Sequence, residues 1–87
     1  VNFRWNTWNV EHIAEHGVSA EEAEFVMENA GRGFPRSEGN GKYRVWGQSE
    51  SGEYLQVVFI IDADGTIFVI HARPLSDKEK RTFRRGR

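Results

Sequence analysis

Polar and apolar positions follow two rhythms along this chain, a helical one in the first third and a strand-like one afterwards. Val1, Phe3 and Trp5 alternate with Asn2 and Arg4, which predicts a short opening strand over Val1–Trp5. Asn6 or Thr7 can cap a helix running to about His16, and Gly17 ends it in the left-handed conformation that other residues resist. If Gly17 follows the last helical turn, Val18 should touch Ile13. Ser19-Ala20-Glu21-Glu22 is a capping box that starts a second helix. Ala23, Val26, Met27 and Ala30 keep helical spacing until the pattern fades near Asn29–Gly31. The glycine-rich stretch GRGFPRSEGNG has no period. It predicts a loop holding a short edge strand around Phe34, with Pro35 arguing against a central strand.

The second half reads as a β-meander. Lys42–Gln48 alternates and Ser49–Gly52 turns the chain. Tyr54–Ile61 is apolar on both faces, as a covered central strand should be. Asp62-Ala63-Asp64-Gly65 makes a hairpin turn, and Thr66–Ala72 is again almost wholly apolar. Pro74 and Leu75 leave the sheet. Ser76-Asp77-Lys78-Glu79 forms a second capping box, opening a basic final helix whose main apolar residue is Phe83. The expected order is β-α-α-β-β-β(-β)-α, a single α+β domain over residues 1–87 with an antiparallel sheet packed against helices.

Composition narrows the chemistry. Cysteine is absent, which excludes disulfides, thiolate metal sites and cysteine nucleophiles and fits a cytoplasmic location. No apolar run approaches the ~20 residues that span a bilayer, so no membrane role is expected. The net charge of −1 conceals a strong asymmetry. Residues 73–87 hold seven basic side chains (Arg73, Lys78, Lys80, Arg81, Arg84, Arg85, Arg87) against Asp77 and Glu79. Between Glu11 and Glu28 there are six glutamates and no Lys or Arg. The basic end, with Lys78, Lys80, Arg81, Arg84 and Arg85, suggests an anionic partner, and the acidic end a basic protein partner. A basic helix that simply complements its own acidic neighbours is the plainer alternative.

His12-Ile13-Ala14-Glu15-His16 fits H-x-x-E-H, a pattern that can hold zinc between two imidazoles with a glutamate as base. The context is poor for a zinc hydrolase. His16 falls in the last turn of its helix, and the only other histidine is His71, at the end of the last strand. A catalytic zinc needs a third ligand and an open position. Incidental spacing is the preferred account, and no metal or other cofactor is expected.

The run FRWNTWNVEHIAEHGVSAEEAEFV resembles the opening of BrnT-type toxins, which begin F-x-W-D/N and continue to K-H-G-V-S-x-E-E-A. Later segments agree in order: KYRVWG, GEYLQVVF, and a strand ending in Ala72-Arg73 before a helix with S-x-x-E. The resemblance runs from Phe3 to about Arg85. It implies a RelE-like fold and the toxin role in a bacterial type II toxin–antitoxin pair: a ribonuclease that inhibits translation and is neutralised by a ribbon-helix-helix, BrnA-like antitoxin. A homodimer is a further expectation. The chain departs from the family pattern at Glu15, where Lys is expected, and at His71, where Ser is frequent.

Metal-free RNA cleavage needs a group to take the 2′-OH proton, cations for the crowded phosphorane, and an acid for the leaving 5′ oxygen. His71 and Arg73 stand at i and i+2, so they share one strand face. Arg44, on what is expected to be a neighbouring strand, completes the candidate catalytic set of Arg44, His71 and Arg73, with His16 and Glu79 in support. Plainer roles exist for each. His71 can be a half-buried strand-end histidine, and Arg73 can pair with Glu79 or an acidic helix. A non-catalytic relative that keeps the fold and partner interface is the alternative function. A zinc hydrolase built on His12 and His16 is a distant third.

Overall fold

The computed structural model describes residues 1–86; Arg87, counted above in the basic tail, lies outside the described residues. The elements are β1 (Phe3–Arg4), α1 (Thr7–Ala14), α2 (Ala20–Glu28), β2 (Arg36–Gly39), β3 (Lys42–Gln48), β4 (Tyr54–Ile61), β5 (Ile67–Pro74) and α3 (Asp77–Arg85). One five-stranded sheet has the order β1-β5-β4-β3-β2. β2 to β5 pair antiparallel, as the meander predicts. β1 pairs parallel to β5, so the sheet is mixed rather than antiparallel. No hairpin joins these two strands, and the long path between them leaves their relative direction free.

Helices α2 and α3 begin as their letters indicate. Ser19 and Ser76 each accept from the backbone N–H three residues on, while Glu22 and Glu79 reach back to the capping residue. After α1, Gly17 takes φ +76°. Val18 N donates to Ile13 O at 3.2 Å and Gly17 N to Ala14 O at 2.9 Å, the two bonds of a Schellman ending. Ile13 and Val18 are both buried in the core, as expected. The regular helix stops at Ala14, earlier than His16, because Glu15 N and His16 N bond only three residues back in a tightened turn.

Asn6 caps α1, and Asn9 closes its box. Asn9 also does something the pattern did not reveal. Its side chain is fully buried, and its Nδ2 donates to Arg4 O and to Val69 O, both at 3.1 Å. β1 pairs with β5 only at Ile67 and Phe68. From Val69 onward α1 flanks β5 in place of a strand, and the Asn9 amide supplies a hydrogen bond that a neighbouring strand would have given.

α2 packs on β3 and β4, and α1 on β5. With Val45, Val57, Phe59, Val69 and Ala72 of the sheet they enclose the core on one face. Trp5 leaves β1, which is shorter than expected, and its indole donates to Glu24 Oε2 at 2.7 Å. The edge strand also lies later than expected, at Arg36–Gly39. Phe34 instead turns into an aromatic cluster with Trp46 and Phe83, at ring separations of 5.4 and 6.3 Å. β5 continues past Ala72 to Pro74, opposite Leu55. Proline is tolerated there because it sits at the strand's end, where a missing N–H breaks little of the ladder.

The far face of the sheet has no helical layer over most of its area. α3 touches it through Phe83, which packs among Phe34, Trp46 and Tyr54. Gly31 makes room for that ring, since a Cβ at this position would collide with Phe83. Among the described residues no helix is long and apolar enough to cross a membrane.

Candidate functional site

Cross-strand partners share a sheet face, so register shows which side chains stand together. Two rows cross the uncovered face. One runs Arg36, Arg44, Val58, His71, and the next runs Trp46, Gln56, Arg73. His71 and Arg73 are therefore together, as expected. Arg44 is not on a strand next to theirs, because β4 lies between β3 and β5. Two strand spacings, about 10 Å, separate its backbone from that of His71.

A bulge decides which way His71 points. Val58 pairs with His71 but Phe59 pairs with Val69, leaving Ile70 as an extra residue. Val69 and Ala72 both lie in the core, three positions apart. Without the extra residue, strict alternation from Val69 would turn His71 to the core face.

His71 also lies against α1 and the turn that follows it. Its ring lies 5.1 Å from that of His16 and 6.1 Å from that of His12. The His12 ring stacks on Trp8 at 4.9 Å, and Trp8 lies 6.0 Å from Phe68. So the H-x-x-E-H spacing does meet the third histidine. Even so, among the described residues no group of three His, Cys, Asp or Glu is arranged to hold a metal ion.

Electrostatics separates the roles of these groups. The His71 pKa is lowered, chiefly by burial and then by the neighbouring charges of His16, His12 and Arg73. Its neutral form, which can accept a proton, is favoured near pH 7. Arg73 holds Glu79 in a bidentate pair, Nη1–Oε1 and Nη2–Oε2 both at 2.8 Å, and Nη1 also donates to Pro74 O. This pair raises the Arg73 pKa and lowers that of Glu79 to about 2. A carboxylate that acidic is a poor base at neutral pH. Glu79 instead orients Arg73 while closing the α3 cap.

Arg44 stands in a different environment. Its guanidinium lies 5.2 Å over Trp46, and its Nε is 3.3 Å from Glu38 Oε2. The geometry of that contact is not a hydrogen bond, and Arg44 Nε is buried without a hydrogen-bond partner among the described residues. The attraction to Glu38 is coulombic only. On α3, Lys78, Arg81, Arg84 and Arg85 are exposed. Lys80 is half-buried and 3.7 Å from Asp77, and Arg84 lies over the Tyr54 ring at 5.2 Å.

Sequence reasoning missed the convergence of His12 with His71, and it missed Arg32 and Arg36 beside Arg44. The signal for the first was the strand–helix proximity implied by Asn9. The second was hidden in an aperiodic loop. No protein-family model matches this chain, and no curated protein matches it significantly.

Proposed function

We propose that this chain is a metal-independent endoribonuclease that inhibits translation, the toxin of a bacterial type II toxin–antitoxin pair with a RelE-like fold. Its partner would be a ribbon-helix-helix antitoxin, and its site of action the cytoplasm. The observation that carries the reading is the His16–His71 pair, 5.1 Å apart where α1 flanks β5, with Arg73 two positions further along the same strand. The BrnT-like motifs support it independently.

Burial first, and then the neighbouring His16, His12 and Arg73, oppose protonation of His71 and favour its neutral ring. His71, with its lowered pKa, takes the 2′-OH proton. The 2′ oxygen then bonds to phosphorus and the bond from phosphorus to the 5′ oxygen breaks. The His16 imidazole, 5.1 Å from that of His71, stands where it can pass a proton to that leaving oxygen. The products are a 2′,3′-cyclic phosphate and a free 5′-OH. Arg73, held by Glu79, offers positive charge to the phosphorane, and the α3 cations attract the strand.

One observation favours the second reading, a binding module without catalysis: Arg73 and Arg44 each already face a carboxylate. The two readings part in a cleavage assay in EDTA with end-group analysis. Cyclic or 3′-phosphate ends, lost in folded His71→Ala and Arg73→Ala variants, support the ribonuclease. Intact RNA with folded wild-type protein leaves the binding module.

A further inference from the structure

β2, β3 and α3 enclose a recess of about 180 Å³ on the uncovered face, lined by Arg32, Arg36, Arg44, Phe34, Trp46 and Phe83 among others. Arg36 and Arg44 are directly opposite one another in the β2–β3 pair. Like charges in that position oppose folding, so the arrangement is costly unless an anion joins them. Each guanidinium lies over an aromatic ring, Arg36 over Phe34 at 4.5 Å and Arg44 over Trp46 at 5.2 Å. Those rings hold the cations in place without neutralising them. Among the described residues Arg44 Nε is buried with no hydrogen-bond partner, and the nearby Glu38 makes only a coulombic contact.

We infer that this recess is a phosphate subsite for single-stranded RNA, in which Arg36 and Arg44, with Arg32 at the rim, grip one backbone phosphate of an unpaired strand. The inference rests on the RNA-cleaving function proposed above and adds a second contact to it. At about 180 Å³ the recess is smaller than the ~300–1,000 Å³ of small-molecule sites, so it suits one group of a polymer that continues beyond it. The row Arg36, Arg44, Val58, His71 points from the recess to the histidines. Arg44 and His71 are about 10 Å apart along it, a gap that a single strand covers in roughly three stacked nucleotides or fewer extended ones. On binding, the phosphate displaces Glu38 and gives Arg44 Nε its missing acceptor.

The test uses a fluorescent 2′-O-methyl oligoribonucleotide, which lacks the attacking hydroxyl, in anisotropy titrations over a range of salt. Arg36→Gln, at an exposed position, removes one charge of the opposed pair and should melt at or slightly above the wild-type temperature. It should weaken binding about tenfold at low salt and reduce the salt slope by about 0.7, one phosphate contact to a single strand. Arg4→Gln, an equal loss of charge at the opposite edge of the sheet, should leave the slope unchanged. Glu38→Gln should tighten binding. The inference is overturned if wild type does not bind this RNA, or if Arg36→Gln and Arg4→Gln behave alike. It is also overturned if a glutamate-rich peptide binds with the same dependence on Arg36 while RNA cannot displace it, since the recess would then serve a protein. Arg36-dependent binding without cleavage of ordinary RNA overturns the ribonuclease function and leaves the subsite. Intact cleavage without Arg36 dependence overturns the subsite alone.

Discussion

Replacing Asn9 with alanine tests how α1 is fixed to the sheet. Asn9 Nδ2 serves Arg4 O and Val69 O, and its Oδ1 accepts from Asn6 N at 2.8 Å. In the alanine variant the buried Val69 carbonyl loses the partner it has on the α1 side. An orphaned buried group costs about 1–3 kcal/mol, and the two part-buried groups add a smaller amount because water reaches them, for a total of about 2–4 kcal/mol. A chain of 87 residues has a total stability of about 4–13 kcal/mol, so this is a large share. With a slope near 1.3 kcal/mol/M, the urea midpoint should fall by roughly 1.5–3 M. Asn9→Asp gives the sharper comparison. Aspartate has the same shape and keeps the acceptor for Asn6 N, but it loses both donated bonds and sets a carboxylate against two carbonyl oxygens. If donation matters, Asp should destabilise at least as much as Ala. If Asn9 only fills volume, Asp should be the milder change. A midpoint shift under 0.5 M in Asn9→Ala, with Asp the milder of the two, would refute the reasoning.

Other consequences follow from the same contacts. Burial lowers the folded-state pKa of His71, so its neutral form contributes stability that is fully present above the ordinary imidazole value of 6.5 and is lost as pH falls through the folded value; urea midpoints of wild type and His71→Gln should converge on acidification through that window. Glu79, lowered from 4.5 to about 2, contributes stability present above about 4.5 and lost as pH falls toward 2; Glu79→Gln should be less stable at neutral pH and show a flatter acid limb. Gly31→Ala puts a methyl group into the Phe83 ring and should cost about 1–3 kcal/mol, read as earlier loss of protection of the α3 amides in hydrogen exchange. A double variant with Phe83→Leu should recover part of that loss, because the smaller side chain relieves the collision.

Much of the architecture is written in local chemistry. Ser19-x-x-Glu22, Ser76-x-x-Glu79 and Gly17 fix helix ends through bonds that reach three to five residues, so the letters suffice. The β3, β4 and β5 meander follows from alternation and turn residues, and Phe83 as the single apolar anchor of α3 follows from a composition with no rival. His71 and Arg73 sharing a face needed only the period of a strand. Long-range pairing was not legible. β1 lies parallel to β5, β4 separates Arg44 from the histidines, and Ile70 is the extra residue that turns His71 outward, all through backbone bonds between distant segments. Those bonds involve groups that every residue carries, so side-chain pattern does not specify them. The sequence by itself determined the serine-capped helix starts, the Gly17 ending and the β3–β5 meander. Tertiary structure decided which faces meet: Asn9 sets α1 against the flank of β5, and only that packing brings His12 and His16 to His71.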